Sequence, residues 1–161
     1  MEYSEEFDEN QFLGRGFLED GKKEGLWSYF YETGELKQEI EYKNGIEDGS
    51  FKLFHENGRI AIQCTYIKGE IVGRFIEYYE DGRLKQVTEY VNNKGYFVDF
   101  WDKDGKQLLI NGTGKIIAEY GAWGGDVFEQ YFENRIFVKE VRIKGYTFLG
   151  FYPNENDDKN S

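Results

Sequence analysis

The stretch that decides the fold is GLWSYFYETGEL at residues 25–36, which returns as GSFKLFHENGRI at residues 49–60 and as GRFIEYYEDGRL at residues 73–84. The first glycine of each copy lies 24 residues after the previous one. The turn glycine and a later tyrosine keep the same spacing, at Gly34, Gly58 and Gly82 and at Tyr42, Tyr66 and Tyr90. Identities that recur in several columns at one spacing indicate an internal repeat of about 24 residues.

One copy of the repeat has the pattern of a β-hairpin. Residues 27–31 form a short aromatic strand, and residues 32–34 supply a three-residue turn whose glycine can occupy the left-handed position of a G1 bulge. The return strand then alternates, with Leu36, Gln38, Ile40 and Tyr42 on one face and Lys37, Glu39 and Glu41 on the other. This alternation predicts one face that packs and one face that meets water.

The repeat pattern weakens towards both ends of the chain. Residues 20–25, DGKKEG, mirror the link NGIEDG at residues 44–49, which indicates a partly decayed copy before the first full one. After Tyr90 the sequence VNNKG replaces the expected link, and irregular strands are predicted at residues 97–101, 127–132 and 136–143, while the stretch at 108–114 is shorter than a full return strand. We expect one β-hairpin repeat domain over residues 1–153, with regular repeats over about 14–94, degenerate repeats over about 95–153 and a disordered polar tail over 154–161.

The composition agrees with an all-β protein. Phe, Tyr and Trp make up 19% of the chain, and aromatic side chains fit pleated, half-buried strands. Twenty glycines against a single proline suit a meander with many turns. The expected architecture is an elongated, twisted antiparallel meander of roughly ten neighbouring strands, whose concave or aromatic face is a candidate binding surface.

The charge balance restricts the classes of partner. The formal net charge is −11, and the longest basic run is Lys22–Lys23, so the basic patch that nucleic acids and anionic membranes require is absent from the sequence. The single cysteine, Cys64, suits a reducing compartment. With no signal-peptide pattern at the N-terminus and no apolar run of about 18–20 residues, the expectation is a soluble, cytoplasmic protein.

The residue types that carry chemistry are scarce. His55 is the only histidine and stands where other copies have tyrosine, so it is interpreted as a partly exposed aromatic substitute. Cys64 falls in the column of Ile40 and Thr88, which predicts an inert core thiol. One Cys and one His cannot complete a zinc site. The DKDG sequence at residues 102–105 lacks the remaining calcium ligands and is interpreted as a turn. No enzyme, cofactor or metal site is expected.

Acidic turn residues and tryptophans are the candidate contacts for a protein partner. Glu32, Glu56 and Glu80 recur at one turn position and would form a ladder with a spacing of roughly 10 Å per repeat. Further candidates are the acidic residues expected on other edges, Glu47, Asp48 and Asp81, and the possible aromatic anchors Trp101 and Trp123. The alternatives are ordinary solvation of the turn tips and core packing of the tryptophans.

The column pattern, Gly-x-(Trp/Phe)-x-x-(Tyr/Phe)-(Tyr/His)-x-x-Gly-x-(Leu/Ile) followed by a Tyr and an x-x-Gly, resembles the bacterial MORN-repeat variant, and most closely the YwqK-type antitoxin family. The resemblance covers residues 14–90 well and residues 95–145 loosely. It implies an all-β stack of hairpins and, for some members, neutralisation of a toxin. It carries no catalytic residues to this chain.

Three functions follow as hypotheses. The first is an antitoxin or immunity protein that blocks a protein toxin, which could be basic because the chain is acidic. The second is a general protein–protein interaction scaffold without a toxin. The third, disfavoured by the charge, is binding to lipid or a membrane surface. The oligomeric state stays open, because exposed sheet edges permit association.

Overall fold

The computed structural model describes residues 1–7, 13–120 and 126–144, and within these ranges the chain forms one open antiparallel sheet. The thirteen strands of the described part lie side by side in sequence order, so each inner strand pairs only with its neighbours along the chain. The strands are β1 Glu2–Phe7, β2 Leu13–Glu19, β3 Lys22–Phe30, β4 Leu36–Lys43, β5 Ile46–Phe54, β6 Ile60–Ile67, β7 Glu70–Tyr78, β8 Leu84–Val91, β9 Lys94–Trp101, β10 Gln107–Ile110, β11 Thr113–Tyr120, β12 Asp126–Glu133 and β13 Ile136–Lys144. The predicted all-β antiparallel meander is confirmed.

The predicted three-residue turns form one edge of the sheet. In the first repeat the Gly34 amide donates to the Tyr31 carbonyl at 2.9 Å, and the Tyr31 amide donates to the Glu35 carbonyl at 2.9 Å. Gly34 has φ of 93°, the left-handed conformation that a G1 bulge requires. The turns that contain Gly58, Gly82 and Gly105 repeat both hydrogen bonds and the positive φ.

Two-residue turns form the opposite edge. Asn44 and Gly45 have φ of 53° and 82°, the pair of positive values typical of a type I′ hairpin. Asn92 and Asn93 adopt φ of 51° and 60° in the same place, 48 residues later. The link at residues 91–95 therefore keeps its conformation although its sequence departs from the repeat, because asparagine tolerates the left-handed region better than most residues.

The first glycine of each repeat lies in a wide bulge. Ile40 pairs with Phe51 and Tyr42 pairs with Glu47, so one residue of β4 opposes residues 48–50 of β5. Gly49, inside this bulge, has φ of 137°. In β9 the bulge contains only one extra residue, Val98, because Val87 pairs with Asp99 and Thr88 with Phe97. The shorter bulge explains why Gly105 follows Gly82 by 23 residues instead of 24.

The predicted buried column crosses the middle of the sheet. Ile40, Cys64 and Thr88 are buried, which confirms the prediction that Cys64 is a core thiol. The contrast between the two faces is smaller than the alternation predicts, because Lys37, Glu39 and Glu41 are half-buried rather than exposed. The described residues form a single sheet, and side chains on its strands, about 4.8 Å apart, cover one another on both faces.

The sheet begins with an aromatic cluster on β3. Trp27 is fully buried and packs with Tyr29 and Ile40. A Cβ atom on Gly16 would lie 2.5 Å from the Trp27 ring, and one on Gly14 would lie 2.6 Å from the Tyr29 ring. Both rings therefore lie against backbone of β2 that has no side chain, an arrangement that fills the space above strand glycines.

The C-terminal strands make a second cluster. The Phe97 and Phe132 rings, on the non-adjacent strands β9 and β12, lie 5.3 Å apart edge to face, and Phe132 contacts Phe137 at 5.8 Å. Contact across two intervening strands requires the sheet to curl here. Leu109, on the short strand β10, is almost completely buried beside this curl.

Two strands lie outside the sequence prediction. β1 has the acidic sequence EYSEEF, which does not alternate, and β11 covers Thr113–Tyr120, of which only the first two residues belong to the segment 108–114. Within that segment Asn111 and Gly112, with φ of 50° and 77°, form a two-residue turn, so the shortened return strand is β10 and ends at Ile110. The predicted tail at residues 154–161 lies outside the described residues.

Candidate functional site

The edge with the three-residue turns carries a row of exposed carboxylates. We call the turns at residues 32–34, 56–58 and 80–82 the acidic edge. Glu32, Glu56 and Glu80 hold the same position in the three turns and are all exposed. Two strands separate successive turns, which gives a spacing of about 10 Å. None of the ion pairs found in the described residues involves these three glutamates.

Side chains of one turn reach the backbone of the next along this edge. Asn57 Nδ2 donates to the Glu80 carbonyl at 2.8 Å, and Arg59 Nη1 donates to the same oxygen at 3.2 Å. Arg83 Nη2 donates to the Lys103 carbonyl at 2.6 Å. These bonds connect the turns at residues 56–58, 80–82 and 102–105, so the positions from which Glu56 and Glu80 project are braced before any partner binds.

The Asp81 side chain forms hydrogen bonds within its own turn. Its carboxylate accepts hydrogen bonds from the Arg83 amide at 2.9 Å and from Arg83 Nε at 2.7 Å. The Arg83 side chain, through hydrogen bonding and then charge, lowers the pKa of Asp81. The expectation that Asp81 lies on another edge is wrong, because it occupies the acidic edge between Glu80 and Gly82.

The residue before each acidic turn links neighbouring repeats. Tyr31 Oη donates to the Phe54 carbonyl at 2.8 Å, and Tyr79 Oη donates to the Trp101 carbonyl at 2.7 Å. His55 takes the equivalent place, with Nε2 3.1 Å from the Tyr78 carbonyl. Since a carbonyl oxygen only accepts, His55 carries a proton on Nε2. The prediction that His55 is a half-buried substitute for tyrosine is confirmed.

Of the two predicted aromatic anchors, Trp101 lies in the described part of the chain and Trp123 does not. Trp101 is half-buried at the end of β9, next to the turn at residues 102–105 that continues the acidic edge. Its backbone carbonyl accepts a hydrogen bond from the Tyr79 hydroxyl at 2.7 Å. Trp123 lies outside the described residues.

Glu47 and Asp48 are not brought together with the other acidic candidates. Both lie at the start of β5, directly after the turn at Asn44 and Gly45, and therefore near the edge opposite the acidic edge. Glu47 pairs with Tyr42, and the Glu47 carbonyl accepts a hydrogen bond from the Gly69 amide at 2.8 Å. Burial first, and then the charges of Cys64 and Glu47, raise the pKa of Tyr66.

The described residues contain one cysteine, which is buried, and no cluster of metal-ligating side chains. No three His, Cys, Asp or Glu side chains converge there in a way that could hold a metal ion. Burial raises the pKa of the Cys64 thiol to about 11, so the thiol is protonated and shielded at neutral pH. No helix in the described part of the chain is long and apolar enough to span a membrane.

The residues that brace the acidic edge were missed by the sequence analysis. Arg59 and Arg83 both follow a turn glycine, and the same column contains Glu35 and Lys106. The column thus shows a preference for cations after the first repeat, which was a usable signal. Nothing in the sequence indicated that these arginines would contact the backbone of the next turn, because that contact depends on the spacing of strands.

Three consecutive segments of the chain, residues 23–44, 47–68 and 71–92, match the family model of the MORN repeat variant. Each matched segment comprises one hairpin and ends at a two-residue turn of the sheet: β3 with β4, β5 with β6, and β7 with β8. No curated protein matches the chain. MORN repeats are generally associated with binding to proteins or membranes and are not known as an enzyme family. Residues 23–92 are thus three consecutive hairpins similar to the MORN repeat variant.

Proposed function

We propose that this chain is a non-enzymatic protein-binding module whose acidic edge recognises a basic surface on a partner protein. The observation that carries the proposal is the row formed by Glu32, Glu56 and Glu80, three exposed carboxylates outside the ion pairs of the described residues. Other charged groups of the same turns are engaged internally, as Asp81 is by Arg83. The three glutamates are the charges left available to a partner.

The regular spacing of the row supports recognition of a broad basic surface. Three carboxylates about 10 Å apart extend over roughly 20 Å, a length comparable with one side of a standard protein–protein interface. The hydrogen bonds from Asn57, Arg59 and Arg83 hold the turns that carry Glu56 and Glu80, which reduces the ordering that binding would otherwise require. The net charge of −11 adds long-range attraction for a basic partner.

The partner we favour is a protein toxin with a basic surface, such as a nuclease, which the chain would block as a cytoplasmic antitoxin or immunity protein. The resemblance to the YwqK-type repeat proteins supports this role. A basic nuclease binds the phosphates of its nucleic-acid substrate with a cationic surface. An acidic row that covers that surface would block substrate without any catalytic residue in this chain.

The test is binding by the full chain and by the triple variant Glu32→Lys, Glu56→Lys, Glu80→Lys to a candidate basic toxin encoded beside it. We expect the variant to lose at least about tenfold in affinity, chiefly through a slower association rate, because charges at an interface rim steer encounter. Binding of the unchanged chain should weaken as salt is raised from low to physiological concentration. Protection from the toxin in cells should fail in parallel.

The matched control reverses Glu2, Glu19 and Glu133, which are exposed and lie at the opposite edge of the sheet. Each set of three reversals adds six charges, from −11 to −5, so general electrostatics changes equally. Equal losses in both variants would contradict a role for the acidic edge. Binding of several unrelated proteins without protection would favour the general scaffold, and flotation with liposomes would favour the lipid-binding alternative.

A further inference from the structure

The first repeat holds a lysine ammonium in a cage made by the Trp27 ring, the Tyr42 ring and the hydroxyl of Tyr29. Lys23 Nζ lies 4.6 Å from the centre of the Trp27 ring and 5.2 Å from the centres of both the Tyr29 and Tyr42 rings. It also donates to Tyr29 Oη at 2.6 Å and forms an ion pair with the Glu6 carboxylate. The Lys23 side chain is only 22% exposed. Rings on several sides with a carboxylate are the arrangement that recognises alkylammonium groups.

Contacts that do not involve Lys23 hold the Trp27 and Tyr29 rings in place. Trp27 Nε1 donates to the Phe17 carbonyl at 3.1 Å, and the ring lies against Gly16, where a Cβ would come within 2.5 Å. Tyr29 lies in the same way against Gly14. Two contacts of β3 with β2 thus fix the orientation of two walls independently of Lys23.

The cage is particular to the first repeat. The second and third repeats have Glu47 and Ile71 in the column of Lys23. There the aromatic columns meet directly, with the Phe51 and Tyr66 rings 5.7 Å apart and the Phe75 and Tyr90 rings 6.0 Å apart. The hairpins of the second and third repeats form without a cation at this position, so the hairpin fold does not require Lys23.

We propose that Trp27, Tyr29, Tyr42 and Glu6 form a binding site for an alkylammonium group and that Lys23 is its built-in ligand. The ligand class is a primary or methylated ammonium, because the Trp27 and Tyr42 rings supply their negative faces, the Tyr29 hydroxyl accepts a hydrogen bond and Glu6 supplies the counter-charge. Lys23 closes the site to ligands from solution while it occupies the rings. Glu6 belongs to β1, so the occupied cage also fastens the first strand to the third across β2.

The experiment removes the built-in ligand and supplies it from solution. Lys23→Ala in the full chain is expected to lower Tm by about 3–8 °C. Titration with n-butylammonium at constant ionic strength should restore Tm with saturation and change the tryptophan fluorescence. Tetramethylammonium, which cannot donate a hydrogen bond to Tyr29 Oη, should do so only at a higher concentration. The unchanged chain should not respond, since Lys23 occupies its cage. Adding Glu6→Gln to Lys23→Ala should raise the butylammonium concentration required by roughly twofold to fivefold.

Lys43→Ala is the matched control, because Lys43 is exposed and flanks a turn without a ring contact among those found in the described residues. A folded Lys23→Ala variant that does not respond to butylammonium would overturn the proposal. An equal rise in Tm for Lys43→Ala or for the unchanged chain would also overturn it. If Lys23→Ala does not fold alone, folding in butylammonium but not in sodium supports the site, and failure in both contradicts it.

Discussion

At the scale of single residues, glycines in this chain serve two different physical needs. The turn glycines need a left-handed backbone, and at Gly58, with φ of 79°, an added Cβ would meet nothing within 4 Å. Gly16 has no such φ, but an added Cβ would lie 2.5 Å from the Trp27 ring. The first need is conformational and the second is steric, so the same substitution fails for different reasons.

Gly58→Ala isolates the conformational need. We expect it to destabilise the chain by about 1–2 kcal/mol, the cost of a left-handed backbone with a Cβ atom. Gly58→Asn should cost less, because asparagine tolerates this conformation. Urea unfolding followed by circular dichroism measures both. A loss for Gly58→Asn as large as that for Gly58→Ala would contradict the backbone explanation.

The buried thiol gives a prediction for alkaline pH. Burial raises the pKa of Cys64 from 9.0 to about 11. A raised pKa means that the folded state favours the neutral thiol, so this contribution to stability is complete below pH 9 and is lost as pH rises towards 11. We expect Cys64→Val to show a smaller fall in stability between these pH values. The thiol should also react with Ellman's reagent only after addition of urea.

At the scale of the elements, hairpins are joined by more than backbone pairing. Tyr31, His55 and Tyr79 each place a donor on a carbonyl at the end of the aromatic strand of the following hairpin. This contact recurs at the same point of every matched repeat, although one of the three residues is a histidine. The feature common to Tyr31, His55 and Tyr79 is a planar ring with a hydrogen-bond donor at its far end.

Substitutions of His55 test that interpretation. His55→Tyr should leave stability within about 0.5 kcal/mol, because tyrosine serves the same place in both neighbouring repeats. His55→Phe keeps a ring but removes the donor to the Tyr78 carbonyl, and should cost about 1 kcal/mol. The measurement is the midpoint of urea unfolding. Equal stability of the two variants would show that ring packing alone matters here.

Much of the element structure could be predicted from the repeat. The turn glycines, the return strands and the buried column of Ile40, Cys64 and Thr88 all follow from residues that recur at fixed spacing. β1 and β11 were missed because alternation is weak in β1 and because β11 begins only after the unpredicted turn at Asn111 and Gly112. The acidic row was visible as a column, but its braces and the Lys23 cage depend on contacts between strands.

At the scale of the whole molecule, the order of strands makes a repeat removable. Excision of residues 49–72 joins Asp48 to Gly73, so β7 and β8 replace β5 and β6 with the same columns in the same positions. We expect a folded sheet with lower stability, since stability spreads over neighbouring units. Circular dichroism should retain the strand signal per residue, with a lower Tm.

Excision of residues 49–60 is the control for that deletion. It removes half a unit, so β4 would be followed by a second return strand instead of an aromatic strand. The residues of that strand would not match the columns that pair with β4. The aromatic columns would lose their partners, and we expect loss of cooperative unfolding. If the half-unit deletion proves as stable as the full-unit deletion, the column register is not what specifies the sheet.

The sequential order of strands also determines how the molecule responds to force. Tension applied at β1 and at β13 would load the outermost hydrogen-bonded ladders first, because these two strands are the boundaries of the sheet that the described residues form. Ladders loaded in this way separate bond by bond, so the hairpins would peel off one after another at low force. Each released unit of 24 residues would add about 80 Å of extension. Under tension the length of the molecule would therefore increase in steps of one hairpin.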